Sequence, residues 1–163
     1  MSAFSGQIIR IDLSNPQHAD ALLNLLDQYA CDPMGGNASL PSDVQQNLIP
    51  RLQQVETYRG LLARADGQFV GLANCFLGFS TFQARPLINI HDLAVVPEAR
   101  GQGVGRALLE AVDQLAQDEH CTQVTLEVRA DNRARQLYLR HGFVPGDPAT
   151  DAMSFWKKPI EAK

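Results

Sequence analysis

The chain has no apolar run approaching the roughly 18 residues that a membrane span requires, and 20% of its residues are charged. Both features point away from a membrane protein. The opening residues, Met1-Ser2-Ala3-Phe4-Ser5-Gly6, have neither a basic segment nor an apolar core, so no secretory signal is expected there. Cysteine is sparse. Cys31, Cys75 and Cys121 are widely spaced and odd in number, which gives neither a disulfide framework nor a metal-ligand pattern. No metal is expected, and reduced thiols suit a cytoplasmic protein. Basic clusters are missing too. A net charge of −4 without any run of Lys and Arg argues against nucleic acid as the main partner.

What is present is a chain of 163 residues with 45% apolar content, enough for one domain with a full core. Neither an internal repeat nor a linker interrupts it. The stretch from Ile88 to Ala116 organises the rest. Ile88-Asn89-Ile90-His91-Asp92-Leu93-Ala94-Val95-Val96-Pro97 is rich in β-branched residues and stopped by a proline, the pattern of a strand and its end. Val104, Ala107, Leu108, Ala111, Val112, Leu115 and Ala116 recur at helical spacing, which predicts an amphipathic helix of about three to four turns. Between them lies Arg100-Gly101-Gln102-Gly103-Val104-Gly105-Arg106.

A glycine-rich loop that opens a helix directly after a strand presents unpaired backbone N–H groups to a phosphate, reinforced by the helix dipole. Arg100 and Arg106 flank this loop and can add charge-assisted hydrogen bonds. Two common phosphate loops do not fit. A P-loop needs Lys followed by Ser or Thr, where this chain has Arg106-Ala107. The dinucleotide fingerprint needs a third glycine at the position of Arg106. The pattern that fits is Arg-x-x-Gly-x-Gly after a Leu-x-Val-x-Pro strand end. In this the chain resembles the GNAT superfamily of N-acetyltransferases, whose loop of this form holds the pyrophosphate of acetyl-coenzyme A. The resemblance is strong from about Gly71 to Phe143.

The rest of the chain fits that order. Gln7 to Leu13 is expected as a strand, and Pro16 as the start of a helix capped by Ser14 or Asn15 and running through about Ala30. A loop follows to Pro41, then a helix with Val44, Leu48, Leu52 and Val55 on one face, kinked or split by Pro50. Thr57 to Ala65, Gln68 to Phe79 and Gln123 to Val128 predict strands, with Asp66-Gly67 as a tight hairpin turn. Asp131 or Asn132 is expected to cap a last helix that stops before Gly142. Phe143-Val144 and Met153 to Trp156 read as final strands. The resulting fold class is α/β (α+β), with a central mixed, mostly antiparallel twisted sheet of roughly six to seven strands flanked by about four helices.

Transfer of an acetyl group from a thioester to an amine needs a base for the amine, a donor for the oxyanion and an acid for the leaving thiolate. Ile88 and Ile90 are out of phase with Leu93 and Val95. One extra residue near His91-Asp92, a β-bulge, reconciles the two halves and frees a backbone N–H for the acetyl carbonyl. The resemblance likewise places the pantetheine arm and acetyl group along Leu93, Ala94 and Val95. It places the pyrophosphate on Arg100, Gly101, Gln102, Gly103, Val104, Gly105 and Arg106. His91, Asp92 or a water chain is the candidate base. In Asp131-Asn132-Arg133-Ala134-Arg135-Gln136-Leu137-Tyr138, followed by Gly142-Phe143, Tyr138 matches the family's acid beside the coenzyme A sulfur. The helix-capping Asn that touches the pantetheine falls on Asp131 by the family's spacing, or on Asn132 if the helix entry is one residue shorter. Cys75 and Cys121 read as packing residues rather than nucleophiles.

The expected activity is therefore transfer of acetyl from acetyl-CoA to a primary amine of a small molecule, by direct attack in a ternary complex. The Ser80-Thr81-Phe82-Gln83-Ala84-Arg85-Pro86 turn is similar to that of the diamine and thialysine acetyltransferase branch. The alternatives are acetylation of a protein or peptide amine, and a non-catalytic acyl-CoA-binding module. Family habit, with Phe155 and Trp156 on the final strands, also implies a homodimer.

Overall fold

The computed structural model describes residues 4–145. The chain divides into two compact units, the first ending at Asn132 and the second beginning at Arg133. In the first unit the order is β1 (Gln7–Arg10), α1 (Pro16–Cys31), α2 (Ser42–Leu52), β2 (Tyr58–Ala65), β3 (Gln68–Ser80), β4 (Arg85–Val95), a 3-10 turn (Pro97–Ala99), α3 (Val104–Asp118) and β5 (Val124–Leu126). The second unit contributes α4 (Arg135–Arg140).

The five strands form one sheet in the order β1-β2-β3-β4-β5. The first three pairings are antiparallel and β4 with β5 is parallel. Helix α3 is the crossover of that parallel pair, as β-strands running the same way require. Local chemistry explains the elements. Pro16 occupies the first turn of α1, where its missing N–H costs nothing, and the Asn15 side chain accepts from Gln17 N–H at 2.9 Å. Asp66 and Gly67 take φ of 49° and 78°, the paired positive values of a two-residue hairpin turn.

The two faces of the sheet are covered differently. Leu62 and Leu72 on one face pack with Leu22 and Leu25 of α1 and Leu52 of α2. On the other, Val104, Leu108, Leu109, Val112 and Leu115 of α3 are buried. Gly71 sets how closely α3 sits. A Cβ there would meet Val104 Cγ1 at 3.0 Å, Leu108 Cδ1 at 3.1 Å and the Ala94 carbonyl oxygen at 3.2 Å.

Some expectations are corrected. The described sheet has five strands rather than six to seven, although the fold class stands. Phe143-Val144 pairs with no strand among the described residues, because its backbone closes the end of α4 instead. Gly142 at φ 93° donates to Leu139 O at 3.1 Å and Phe143 N–H donates to Tyr138 O at 3.0 Å, a Schellman motif. The expected strand Met153 to Trp156 lies outside the described residues. Pro50 does not split α2, which continues to Leu52. Val55 lies beyond that helix, in a turn in which its N–H donates to Leu52 O. Neither Asp131 nor Asn132 caps α4, whose N-cap is Ala134. Arg129 holds the Asp131 carboxylate through two bonds of 3.0 and 2.8 Å, and Asn132 N–H closes a turn onto Arg129 O.

Candidate active site

The glycine-rich loop lies between the 3-10 turn and α3. Gly101 and Gly103 have φ of 78° and 85°, a region that glycine enters without steric cost. Among the described residues no heavy atom beyond its chain neighbours lies within 4 Å of where a Gly101 Cβ would stand, and no side chain caps α3. Ala107 N–H is the first to bond back, to Gly103 O at 3.0 Å. The amides of Val104, Gly105 and Arg106 precede that first helical bond, as at any helix start. An open, uncapped helix start with room above its backbone fits an anionic group such as pyrophosphate.

The flanking side chains are more occupied than the sequence suggested. Arg100 donates Nε to Val95 O at 3.0 Å and Nη2 to Asp32 at 2.8 Å, tying the end of β4 to the end of α1. Arg106 pairs with Glu110 one turn along α3 at 2.7 Å and is exposed. Gln102 donates to Glu98 O at 2.8 Å.

Strand β4 carries the bulge. Asn74 pairs with Asp92 and Cys75 with Ile90, so His91 is the extra residue. Ile88 and Ile90 therefore share the α3 face with Leu93 and Val95, while Asp92 and Ala94 face α1 and α2. Beside them, β5 ends at Leu126 opposite Ile90. From His91 to Val95 the β5 side of β4 has no neighbouring strand among the described residues. That open backbone edge is where an extended, amide-bearing arm can add hydrogen bonds.

Asp92 sits in a polar cluster on an otherwise apolar face. Asn74 donates Nδ2 to Asp92 Oδ2 at 2.9 Å and accepts from the Tyr58 hydroxyl at 2.9 Å. Asn74 is 5% exposed, the sole buried polar residue among those described. Burial pushes the Tyr58 hydroxyl well above its ordinary pKa, and the nearby Cys75 and Asp92 charges add to this. Burial also raises Tyr29 of α1, again with Asp92 and Asp32 contributing. The His91 ring meets the Phe76 ring edge-on at 4.9 Å. On the same face, Asn89 donates to Thr125 Oγ1 at 3.0 Å, and its own Oδ1 is buried with no hydrogen-bond partner among the described residues. Phe76 also lines a cleft of about 270 Å³ along α2, with Val44, Leu48, Leu52 and Val55, and with Asp43, Asn47 and Arg51.

Residues 22–143 match the model of the Acetyltransferase (GNAT) family. The chain belongs to the GNAT acetyltransferase family. It is 32% identical over 132 residues to an uncharacterized N-acetyltransferase, YhfO, of Bacillus subtilis, covering 77% of this chain and 83% of that one. To a thialysine N-epsilon-acetyltransferase of Bos taurus it is 39% identical over 74 residues, 45% of this chain and 43% of that one. A crystal structure of a probable acetyltransferase superposes with a TM-score of 0.77 at 24% identity, covering 96% of this chain and 99% of that one. The chain is an acyltransferase, and members of its family use acetyl-CoA.

In the second unit, Tyr138 packs edge-on against Phe143 with ring centroids 5.8 Å apart. In the first, Cys75 is fully buried and its thiol is pushed up to about 12, chiefly by burial, which removes it as a nucleophile. Among the described residues no three His, Cys, Asp or Glu side chains gather as a metal site, and no helix is long and apolar enough to cross a membrane. The sequence reading missed Asn74, Tyr58 and Tyr29. A lone Asn inside Val70-Gly71-Leu72-Ala73-Asn74-Cys75-Phe76-Leu77 was the one available signal.

Proposed function

We propose that this chain moves the acetyl group of acetyl-CoA to the primary amine of a small molecule by direct attack in a ternary complex. The observation that carries the reading is the bulge at His91. It turns Asp92 to the α1–α2 face of the same strand whose open edge and following glycine loop suit the pantetheine and pyrophosphate. Leu93, Ala94 and Val95 take the arm, and the backbone of Gly101 to Arg106 takes the pyrophosphate. The match to a thialysine N-epsilon-acetyltransferase over part of the chain supports a small amine as acceptor.

In the reaction the amine nitrogen attacks the thioester carbonyl carbon. A C–N bond forms and the C–S bond breaks. Asp92 accepts the proton that the amine must lose, with His91 beside it at the bulge. A backbone N–H at the bulge stabilises the oxyanion. The leaving thiolate takes a proton, a role for which the family resemblance proposes Tyr138. The amine approaches from the cleft along α2, whose apolar wall leads to Phe76 and His91.

A panel of polyamines, amino acids, aminoglycosides and peptides tests the reading by thiol release from acetyl-CoA. Turnover on a small amine is the expected result. Turnover on peptides alone would make the chain a peptide acetyltransferase. Binding of acetyl-CoA without turnover on any amine would make it an acyl-CoA-binding module.

A further inference from the structure

We propose that Asn74, anchored by Tyr58, is a positioning residue that fixes the orientation of the Asp92 carboxylate for proton abstraction. This rests on the reading of Asp92 as the base. The chain of contacts runs across three strands. The Tyr58 hydroxyl on β2 donates to Asn74 Oδ1 on β3, and Asn74 Nδ2 donates to Asp92 Oδ2 on β4, each at 2.9 Å.

The direction of these bonds follows from the donor inventory. A carboxamide has one oxygen that only accepts and one nitrogen that only donates. A neutral phenol gives its single proton to one acceptor. Burial keeps the Tyr58 hydroxyl protonated far above neutral pH, so it remains a donor throughout the working range. Its proton holds the Asn74 oxygen, and the amide nitrogen is left facing Asp92. An N–H aimed at one carboxylate oxygen fixes how the group is turned. Among the described residues Asp92 Oδ1 has no hydrogen-bond partner, so one oxygen is tied and the other is open to the amine.

Asn74 is unusual enough to need such an account. It is 5% exposed within a strand whose neighbours Leu72, Ala73 and Cys75 are fully buried. Filling that position with an apolar residue of similar size would avoid the burial of a polar group. The other groups facing Asp92 are few. Tyr29 of α1 and Tyr58 of β2 lie close enough to feel its charge, Cys75 of β3 does so from the opposite face, and His91 is adjacent on β4. The Arg100 guanidinium, at this end of β4, is spent on Val95 O and Asp32. Among the described residues no charged donor bonds the tied oxygen.

The test compares pH profiles of kcat/KM for the amine in wild type, Asn74→Leu, Tyr58→Phe and Asp92→Asn. Asn74→Leu removes the N–H at nearly constant size. At neutral pH kcat should fall roughly tenfold, with KM for acetyl-CoA within about two-fold of wild type. Tyr58→Phe keeps the ring that packs on Phe76 at 5.6 Å and frees the amide to turn. It should lower kcat in the same way but by less, and it decides the matter should Asn74→Leu fail to fold. A wild-type kcat in both variants, with Asp92→Asn having lost its limb, would overturn the positioning role and leave the base intact. A wild-type limb and single-turnover rate in Asp92→Asn would overturn the base itself, and the positioning proposal with it.

Discussion

On the α3 side of the sheet, Ile88 and Ile90 of β4 are buried with Cys75, Leu108 and Val112. On the α1–α2 side, one or two residues away along the same strands, lie Asn74, Asp92 and the Asn89 oxygen that has no hydrogen-bond partner among the described residues. One strand thus presents an apolar packing surface to one helix layer and a polar cluster to the other. The device that separates them is a single inserted residue, His91. Strand periodicity of two would otherwise alternate these side chains between the faces. The lesson is that a bulge assigns residues to tasks. It lets Leu93 and Val95 continue the packing begun by Ile88 and Ile90, and it turns Asp92 to the opposite face, where it is proposed to act as the base.

Removing that residue should have the largest effect. Deleting His91 leaves Ile90, Asp92 and Leu93 in plain alternation, so each keeps its face and the fold should still melt cooperatively. What is lost is the bulge, and with it the unpaired backbone N–H proposed to hold the oxyanion. The kcat should fall by about 10²- to 10³-fold. A wild-type kcat would mean that the bulge has no part in the chemistry.

Next comes the loop. Gly103→Asp places a negative charge beside the proposed pyrophosphate site, and calorimetric affinity for coenzyme A should fall by roughly 100-fold or more. Gly103→Asn tolerates the same positive φ better than most residues and carries no charge, so its loss should be much smaller. Equal losses would show that backbone strain rather than charge is responsible.

A packing substitution on the α3 face should do the reverse of the active-site changes. Leu108→Ala empties a fully buried position and should cost about 2–5 kcal/mol in denaturant unfolding. Its kcat, measured where the variant is still folded, should stay within about three-fold of wild type. A loss of kcat comparable to that of Asp92→Asn would mean that the faces do not divide packing from chemistry.

The smallest expected effect is a pH dependence that belongs to the packing face. Cys75 is raised from 9.0 to about 12 by burial, with Asp92 adding to it. Above about pH 9 the unfolded thiol ionises while the folded one stays protonated, so the folded state binds more protons and stability falls as pH rises. The contribution is complete below about pH 9 and is lost as pH climbs toward 12. Cys75→Ala should unfold with a shallower loss between about pH 8.5 and 10. Identical slopes would place the thiol within reach of water.

Much of the cofactor half was legible because its signals are local. Two glycines at fixed spacing after a proline-stopped strand announced the loop, and the phase conflict between Ile90 and Leu93 announced the bulge. The Asn74–Asp92 contact was not legible, since it joins residues 18 apart and depends on a register that the bulge itself shifts. The turn of Arg100 toward Asp32, 68 residues away, was equally hidden. The α4 cap was misjudged for a different reason. Asp131 is a good capping residue, but Arg129 two residues before it forms the stronger bidentate pair.

The most direct test of the account is the single-turnover rate of acetyl transfer, followed against pH for wild type and Asp92→Asn with an amine that wild type accepts. The variant should bind acetyl-CoA as wild type does, react about 10²- to 10⁴-fold more slowly at neutral pH, and lose the low-pH limb. Equal rates and an unchanged limb would contradict the assignment of Asp92 as the base that the bulge presents.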